Sequence, residues 1–207
     1  MFEFVTVPPA KDRRVRRSRA ALMRAAVALV SERGTAAVAL SEIAEAADVS
    51  RQVVYQQFGD RDTLLLAAAL DLAGRELLPC LAEAPLTAFE RGPALAMARH
   101  FAQHRAFYRA LLTGSCAFAL NKGLTGLLIP VNRQIVHGMF GECLDPRTVD
   151  DLATFLTGGG AAFFNTWVVE AADPLDPEEF ADRLLRLMPI VAAGRQPTPN
   201  LAGPAPS

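Results

Sequence analysis

The stretch of sequence that decides the fold runs from residue 34 to residue 64 and reads GTAAVALSEIAEAADVSRQVVYQQFGDRDTL. Apolar residues recur at helical spacing between residues 40 and 47, as they do on one face of a short helix. Ser41 and Ser50 carry side chains that favour helix N-caps, and their spacing leaves room for about two helical turns and a reversal. Asp48 lies at that reversal, and aspartate tolerates left-handed backbone better than most residues do. The stretch therefore predicts two short helices joined by a tight turn.

The second of these helices, residues 51–58, has a surface that is unusual for a protein interior. Val54 and Phe58 lie one turn apart, as residues anchored in a core do. The other positions carry polar side chains, namely Arg51, Gln52, Tyr55 and Gln56. Arginine and glutamine match the base edges of guanine and adenine, and the second helix of such a pair commonly enters the major groove of DNA. A solvated helix face that happens to carry Arg and Gln explains this octet equally well.

The segment before this motif favours a DNA partner. Residues 11–19 read KDRRVRRSR, and residues 1–61 carry a net charge of +3 in a chain whose overall charge is −1. A basic segment of this kind suits a polyanion. An anionic membrane surface is the competing partner, but there is no transmembrane run and no long basic amphipathic helix. We therefore expect double-stranded DNA and no membrane partner.

Three segments in the first third of the chain resemble the DNA-binding domain of the TetR family of bacterial transcriptional regulators. LMRAAVALVSERG (22–34) resembles the first helix of the family, LSEIAEAADVSRQVVYQQF (40–58) its helix-turn-helix, and GDRDTLL (59–65) the entry into its fourth helix. The positions in register are Gly34, Ile43, Ala44, Ala47, Val49, Ser50, Tyr55, Phe58 and Leu64. The rest of the chain is similar only in its helical architecture. The resemblance implies an all-α, DNA-binding transcriptional regulator.

The resemblance also implies roles for individual side chains. We expect Arg51 and Gln52 to contact bases and Val53 to touch a thymine methyl group. The expected phosphate contacts are Ser41, Tyr55, Gln56 and Arg61. The family commonly has small residues at positions 52 and 53 and glycine at position 48, where this chain has Asp48. Because Gln52 and Val53 lie where bases are read, the operator preference of other members does not carry over.

Helix-forming residues dominate the chain after its first ten positions, which predicts an all-α fold. We expect a flexible basic arm at residues 1–15 and a DNA-binding domain at 16–76, with the helix-turn-helix at about 39–58. A helical ligand-binding and dimerisation domain should span 77–193, and a Pro/Gly/Ala-rich tail at 194–207 should be disordered. The first ten residues do not resemble a signal peptide, which favours a cytoplasmic protein.

Periodicity and proline positions predict the helices beyond the DNA-binding motif. They should span about 61–83, 87–103, 105–112, 116–142, 147–171 and 177–193. Pro130 should kink its helix near Leu127, and Asp176 should cap the last helix. Cys80, Cys116 and Cys143 lie in apolar surroundings, so we expect buried thiols and no disulfide framework.

The segment LTGGGAAFFNTWVV (156–169) places three consecutive glycines inside a helical pattern. Glycine in a helix costs about 1 kcal/mol relative to alanine, a cost that is tolerable where another backbone must approach closely. We predict a dimer interface on the last two helices, as the resemblance also implies; helices buried within one monomer are the alternative. The interface residues we expect are Phe155, Gly159, Phe163, Leu184 and Leu187.

The second domain also carries scattered polar and aromatic residues of the kind that line small-molecule sites. The candidates are His100, His104, Tyr108, Asn121, Asn132, Phe163 and Trp167. Each of them is equally compatible with a surface position or a satisfied core position. His100 and His104 have a spacing that suits a metal ion, but we find no carboxylate or thiol at a convincing third position. We therefore predict no metal site and no cofactor.

Together these features predict a ligand-responsive repressor that binds a near-palindromic operator as a homodimer. A small apolar or amphipathic effector should release it from DNA. One alternative is a sequence-neutral architectural DNA-binding protein, whose binding would follow salt concentration alone. The other is a small helical enzyme, but the chain has no G-x-S-x-G elbow, P-loop or G-x-G-x-x-G motif, so we expect no enzymatic activity.

Overall fold

The computed structural model describes residues 10–82 and 91–193. Within these residues all regular secondary structure is helical, which confirms the predicted all-α class. The helices are α1 (Ala10–Arg33), α2 (Leu40–Ala46), α3 (Arg51–Phe58), α4 (Arg61–Glu76), α5 (Leu78–Ala82), α6 (Arg91–Gln103), α7 (Arg105–Leu112), α8 (Ala117–Phe140), α9 (Pro146–Glu170) and α10 (Pro177–Ala193), with a 3₁₀ turn at Gly141–Cys143. The predicted disordered tail, and residues 1–9 of the predicted arm, lie outside the described residues.

Most predicted helices are present, but two boundaries differ from the sequence predictions. Helix α1 begins at Ala10, so residues 10–15 are helical where we expected a flexible arm. The single helix expected over residues 61–83 is two helices, because α4 ends at Glu76 and α5 begins at Leu78. Pro130 lies inside α8, which continues past it to Phe140.

The start of α2 differs from the predicted cap. Ser41 is not the N-cap, since the helix begins at Leu40 and Ala39 occupies the cap position. The carboxylate of Glu42 accepts the backbone N–H of Ala39 at 3.0 Å. A glutamate at this position reaches back to the helix start, so the start needs no serine hydroxyl. Asp176 does cap α10, as predicted, by accepting the N–H groups of Glu178 and Glu179.

The two halves of the molecule share one continuous hydrophobic core. Its N-terminal part consists of buried residues such as Leu22, Ile43 and Val54, contributed by α1, α2 and α3. Leu65 and Leu72 of α4 continue this core into the body of the molecule. Helix α4 therefore packs against the DNA-binding motif at one end and against the body at the other.

The body is built around an aromatic cluster. The rings of Trp167 and Phe180 stack with centroids 4.1 Å apart, and Phe164 contacts both Phe180 and Phe101. This cluster joins α6, α9 and α10, while α8 packs along α9. Aromatic pairs of this kind stabilise a core beyond the contribution of their buried area.

One expectation about the body, that all three thiols are buried, needs correction. Cys116 is buried, but Cys80 and Cys143 are exposed, so only one of the three thiols is a core residue. Among the described residues, α9 is long and apolar enough to cross a membrane by length and composition, with a mean hydropathy of 1.2 over its best window. The sequence analysis predicted no such segment. Core helices of soluble proteins pass the same test, and α9 packs against α8.

Candidate nucleic-acid interface and ligand cavity

Helix α3 presents two faces of opposite character. Val54 and Phe58 are buried, with 1% and 5% of their surfaces exposed. The side chains that we predicted as DNA contacts on the opposite face are exposed, namely Arg51, Gln52, Tyr55 and Gln56. Val53 is half-buried at the border of the two faces. Two buried residues thus hold the helix in the core, and its opposite face presents polar side chains that could enter a DNA groove.

The C-terminal end of α3 is held by α1. The guanidinium of Arg19 lies 4.2 Å from the centroid of the Phe58 ring and donates a hydrogen bond to the backbone carbonyl of Gln57. The amide Nε2 of Gln57 donates to the hydroxyl of Ser18 at 2.8 Å. Because these contacts join a long helix to a short one, α1 fixes the direction in which α3 points.

The N-terminal helices are also tied together by an ion pair and a tight turn. The guanidinium of Arg33 forms a two-pronged contact with Glu42 at 2.8 and 2.9 Å. This contact, together with the N–H of Ala39, lowers the pKa of Glu42 to about 2. Asp48 has a φ of 53° between α2 and α3, in the left-handed region that the sequence predicted for it. The ion pair thus holds α2 against the end of α1, and the turn at Asp48 sets the direction of α3 relative to α2.

The surface of α1 next to this motif is basic. Arg13, Arg14, Arg16 and Arg17 are exposed. No ion pair found among the described side chains involves these four residues or Arg51. Their charges are therefore available to neutralise phosphates, and sequence-independent affinity for DNA rests on such groups.

Two of the predicted phosphate contacts are less free than the sequence suggested. Ser41 is half-buried in the first turn of α2. Arg61 donates to the carboxylate of Asp62 at 3.1 Å and lines a small cleft beside Gly114 and Ser115. Arg61 thus lies at the junction with the body, where its guanidinium already has an acidic neighbour.

The same junction contains a direct link between the N-terminal part and the body, which sequence reasoning missed. The hydroxyl of Ser115 donates to Asp62 at 2.6 Å. This hydrogen bond lowers the pKa of Asp62 below its ordinary value, with smaller contributions from Arg61. Close packing beside it favours glycine, because a Cβ on Gly114 would lie 3.1 Å from the carbonyl oxygen of Ala110, a tight contact. The turn before α8 is therefore in contact with the start of α4.

A cavity of about 370 Å³ opens between α6, α8, α9 and α10. This volume is within the range of small-molecule sites. Its apolar wall includes Met97, Phe101, Leu124, Leu128, Ile135 and Phe164. Among the described residues, none that lines the cavity is charged. The cavity therefore suits an uncharged, largely apolar molecule, because an ion would lose its hydration without finding a partner.

Four polar side chains that line the cavity form two hydrogen-bonded pairs. Asn165 donates to the side-chain oxygen of Asn121 at 2.6 Å, and Asn132 donates to the hydroxyl of Thr157 at 2.8 Å. Each donating asparagine keeps its own carbonyl oxygen, which has no hydrogen-bond partner among the described residues. The cavity thus offers two acceptors to a ligand that carries an O–H or N–H group.

The structure separates the residues that were predicted to bind ligand. Asn121, Asn132 and Phe163 line the cavity. The other four predicted residues, His100, His104, Tyr108 and Trp167, lie outside its wall. Trp167 is instead committed to the aromatic cluster with Phe180. Polarity alone could not distinguish these positions, since a buried polar side chain has the same sequence signature in either place.

His100 and His104 lie in a separate polar cluster with Tyr108 and Glu76. His104 Nε2 is 2.7 Å and His100 Nδ1 is 3.6 Å from the Glu76 carboxylate, while His100 Nε2 shares a hydrogen bond with the Tyr108 hydroxyl at 2.9 Å. Burial lowers the pKa of His100 to about 4 and raises that of Tyr108. The sequence analysis found no third acidic residue for the histidine pair, and Glu76 is that residue.

Helices α9 and α10 also expose apolar side chains and glycine backbone beside the cavity. Phe155 is 70% exposed and Leu187 is 42% exposed. A Cβ added at Gly159 would meet no atom within 4 Å, so the glycine is not required by packing within one protomer. Of the other residues predicted at a dimer interface, Phe163 and Leu184 are half-buried. All five residues predicted at that interface also line the cavity.

Comparison with known proteins finds a family match for the N-terminal part of the chain. Residues 22–68 match the family model for bacterial regulatory proteins of the tetR family. The HTH-type transcriptional repressor Rv3405c of Mycobacterium tuberculosis (strain ATCC 25618 / H37Rv) is 38% identical over 116 residues, which cover 53% of this chain and 57% of that relative. The chain thus matches little more than half the length of that relative.

Solved structures resemble a larger part of the chain. The TetR-family regulator SCO0857 from Streptomyces coelicolor A3 superposes with a TM-score of 0.57 at 21% identity, covering 91% of this chain and 98% of the other. The TetR family repressor AlkX from Dietzia sp. strain DQ12-45-1b superposes with a TM-score of 0.53 at 22% identity, covering 85% and 95%. At these identities the likeness shows that the fold is shared.

Proposed function

We propose that the chain is a transcriptional regulator of the TetR family and that it represses transcription as a homodimer bound to a near-palindromic operator. The observation that carries the proposal is the free polar face of α3 above its two buried anchors, Val54 and Phe58. Two such helices related by a two-fold axis would read half-sites about one helical turn, or roughly 34–36 Å, apart. Such a regulator would act where the chromosome lies, in the cytoplasm.

Within this proposal, base reading is assigned to Arg51, Gln52 and Val53. Arg51 and Gln52 are exposed at the N-terminal end of α3, where side chains of a recognition helix reach base edges. Val53 would add an apolar contact to a thymine methyl group. Positioning on the phosphates is assigned to Ser41, Tyr55, Gln56 and Arg61, together with the arginines of α1.

The proposed dimer interface lies on α9 and α10. An exposed phenylalanine and an exposed leucine, Phe155 and Leu187, flank a strip of backbone that carries no side chains. Exposure of such an apolar face to water is unfavourable, and a second copy of the chain would cover it with the same surface. Gly159 would lie at the closest approach, with Phe163 and Leu184 behind it.

The proposed effector is a neutral molecule with an apolar body and at least one hydrogen-bond donor. The cavity volume, the absence of charged lining residues and the free carbonyl oxygens of Asn132 and Asn165 support this chemistry. A molecule that binds the cavity better in a DNA-free arrangement would release the repressor by shifting the population.

The operator is tested by selecting bound sequences from a random duplex library with the full chain. We expect enrichment of one inverted repeat, and binding to it that survives a large excess of random DNA. Loss of all binding under that excess would show a sequence-neutral architectural protein instead, and no enriched repeat would overturn the proposal. A promoter fusion carrying the selected repeat then tests repression, since expression should fall when the protein is supplied.

The effector chemistry is tested with pairs of compounds that share one carbon skeleton and differ only in the head group. We expect a neutral alcohol to displace the protein from its operator at a lower concentration than the corresponding carboxylate. Equal or better release by the carboxylate would overturn the assignment of a neutral ligand without affecting the DNA-binding proposal.

A further inference from the structure

We infer that Glu76, His100 and His104 form a binding site for a first-row divalent transition-metal ion such as Zn²⁺. The site is separate from the apolar cavity and from α3, and it does not depend on the proposed repressor function. It is built at a junction of three helices, since Glu76 ends α4, His100 is in the last turn of α6 and His104 precedes α7.

The three donor atoms already converge. His100 Nδ1, His104 Nε2 and a Glu76 carboxylate oxygen all lie within 4.8 Å of one another. Donors bound to Zn²⁺ at about 2.0–2.1 Å in a tetrahedron lie about 3.3 Å apart. The distances from the carboxylate oxygen, 2.7 Å to His104 and 3.6 Å to His100, bracket that value. Small side-chain adjustments are therefore sufficient to bind an ion.

The surroundings orient the most buried donor. The ring of His100 is nearly inaccessible, and its Nε2 shares a hydrogen bond with the hydroxyl of Tyr108, which is fully buried. When His100 Nε2 carries the hydrogen of that bond, Nδ1 presents a lone pair towards Glu76. A hydrogen bond on the far ring nitrogen is the usual way in which proteins hold a metal-binding histidine.

The other two donors give access to the ion. The side chain of His104 is 16% exposed and that of Glu76 is 38% exposed, so an ion can reach the site from solvent. The ion takes the place of the hydrogen that bridges His104 Nε2 and the Glu76 carboxylate, and it binds the ring as the neutral tautomer that carries its hydrogen on Nδ1. A neutral ring reaches that tautomer by proton exchange with solvent, whereas a protonated ring releases one proton to solvent. Two imidazoles and one carboxylate favour Zn²⁺, Co²⁺ or Ni²⁺ over Mg²⁺ or Ca²⁺, which prefer oxygen ligands.

An ion at this site would fasten the C-terminal end of α4 to the turn between α6 and α7. Helix α4 begins beside the DNA-binding motif, at Asp60 and Arg61, and ends at Glu76. A bound ion would therefore stabilise the folded chain by an amount that grows with ion concentration.

The test is titration of untagged, chelator-treated protein with Co²⁺ followed by visible absorbance, and with Zn²⁺ followed by calorimetry and thermal unfolding. We expect one ion per chain, a rise in the unfolding temperature, and reversal by a chelator. His104→Ala and Glu76→Gln should each weaken binding at least about tenfold. His137→Ala is the matched control, because it removes an exposed histidine of α8 outside the cluster and should leave binding unchanged.

Tyr108→Phe tests the orienting role, since it keeps the buried ring and removes only the hydroxyl that bonds His100. We expect weaker Co²⁺ binding with an unchanged circular dichroism spectrum. The inference is overturned if the wild-type chain binds no ion stoichiometrically, or if His104→Ala and His137→Ala behave alike. In either case the cluster is a hydrogen-bonded polar group and nothing more.

Discussion

The hydroxyl of Ser115 donates a 2.6 Å hydrogen bond to the carboxylate of Asp62, and this contact joins the turn before α8 to the first turn of α4. Asp62 belongs to the helix that follows the DNA-binding motif, whereas Ser115 belongs to the body that contains the cavity. The hydrogen bond between Asp62 and Ser115, which are 53 positions apart in the sequence, thus joins the N-terminal part of the chain directly to the body.

Ser115→Ala should loosen that connection. The pKa of Asp62 should rise towards its ordinary value, because the Ser115 hydrogen bond is the largest cause of its depression. A depressed carboxyl pKa stabilises the fold above the ordinary value, and this contribution is lost as pH falls through the folded value, so the variant should lose less stability in acid. The free energy of unfolding at neutral pH should fall by about 0.5–1 kcal/mol, since the pair is partly exposed.

These changes can be measured by NMR titration of the Asp62 carboxyl and by urea unfolding. Thr113→Ala is the control, because the hydroxyl of Thr113 bonds only to the carbonyl of Arg109 within its own helix. An Asp62 pKa that is the same in the wild type and in Ser115→Ala would contradict the assigned cause.

Arg51→Ala should weaken binding to the selected operator by about 1–3 kcal/mol and relax its sequence preference, because a bidentate base contact is lost. Fluorescence anisotropy with operator and random duplexes measures both quantities. Arg147→Ala removes an equally exposed arginine at the start of α9 and should change neither. If Arg51→Ala weakens both duplexes by the same factor, Arg51 contacts phosphate and not a base.

Leu128→Trp should reduce the cavity and exclude ligands from it. Leu128 is half-buried in the cavity wall on α8, so a larger ring at that position occupies space that a ligand needs. We expect at least about a tenfold loss of affinity for a neutral apolar fluorophore such as Nile red, with operator binding retained, since drug-sized ligands depend on close burial. Phe118→Trp places the same side chain at an exposed position of α8 and should leave fluorophore binding intact.

Phe155→Arg should dissociate the proposed dimer. The side chain of Phe155 is 70% exposed in one protomer, so the substitution costs the protomer little, whereas in a symmetric interface it would bury two charges. Analytical ultracentrifugation over a concentration series should show a monomer, and operator affinity should fall with it. A dimer that persists in Phe155→Arg but dissociates in Phe118→Arg would move the interface to the start of α8.

Asp48→Val should destabilise the motif, and Asp48→Gly should not. The backbone at this position has a φ of 53°, which costs a branched residue about 1–2 kcal/mol and costs glycine almost nothing. Urea unfolding of the two variants gives the difference directly. Equal stabilities for the valine and glycine variants would show that the turn adopts another conformation in solution.

The parts of the structure that the sequence predicts are those determined by neighbouring residues. Arg51–Phe58 is helical as expected because its two anchors lie one turn apart, and the left-handed turn at Asp48 follows from residue type. The N-cap of α2 was misplaced because Glu42 reaches back to Ala39 and performs the task expected of Ser41. Local sequence patterns therefore predict which segments are helical. The predicted start of α2 was wrong because the contact between Glu42 and Ala39 replaces the expected serine cap.

The parts that sequence reasoning missed depend on distant residues meeting in space. Glu76 joins the histidine pair only because the end of α4 lies against α6 and α7, and no periodicity relates their positions. Asn121 and Asn165 face the cavity while Trp167 does not, a difference decided by how α9 is rotated against α8. A pattern within one helix cannot report the orientation of its neighbour.

The glycines at positions 158–160 have a consequence for evolution. Within one protomer a methyl group fits at each of them, and alanine would favour the helix by about 1 kcal/mol per position. The fold of a single chain thus gives selection no reason to keep them. If two chains pack together at these glycines, helix stability favours alanine at the three positions whereas assembly favours glycine. Among descendants of this chain, the glycines would then be retained where the dimer is retained.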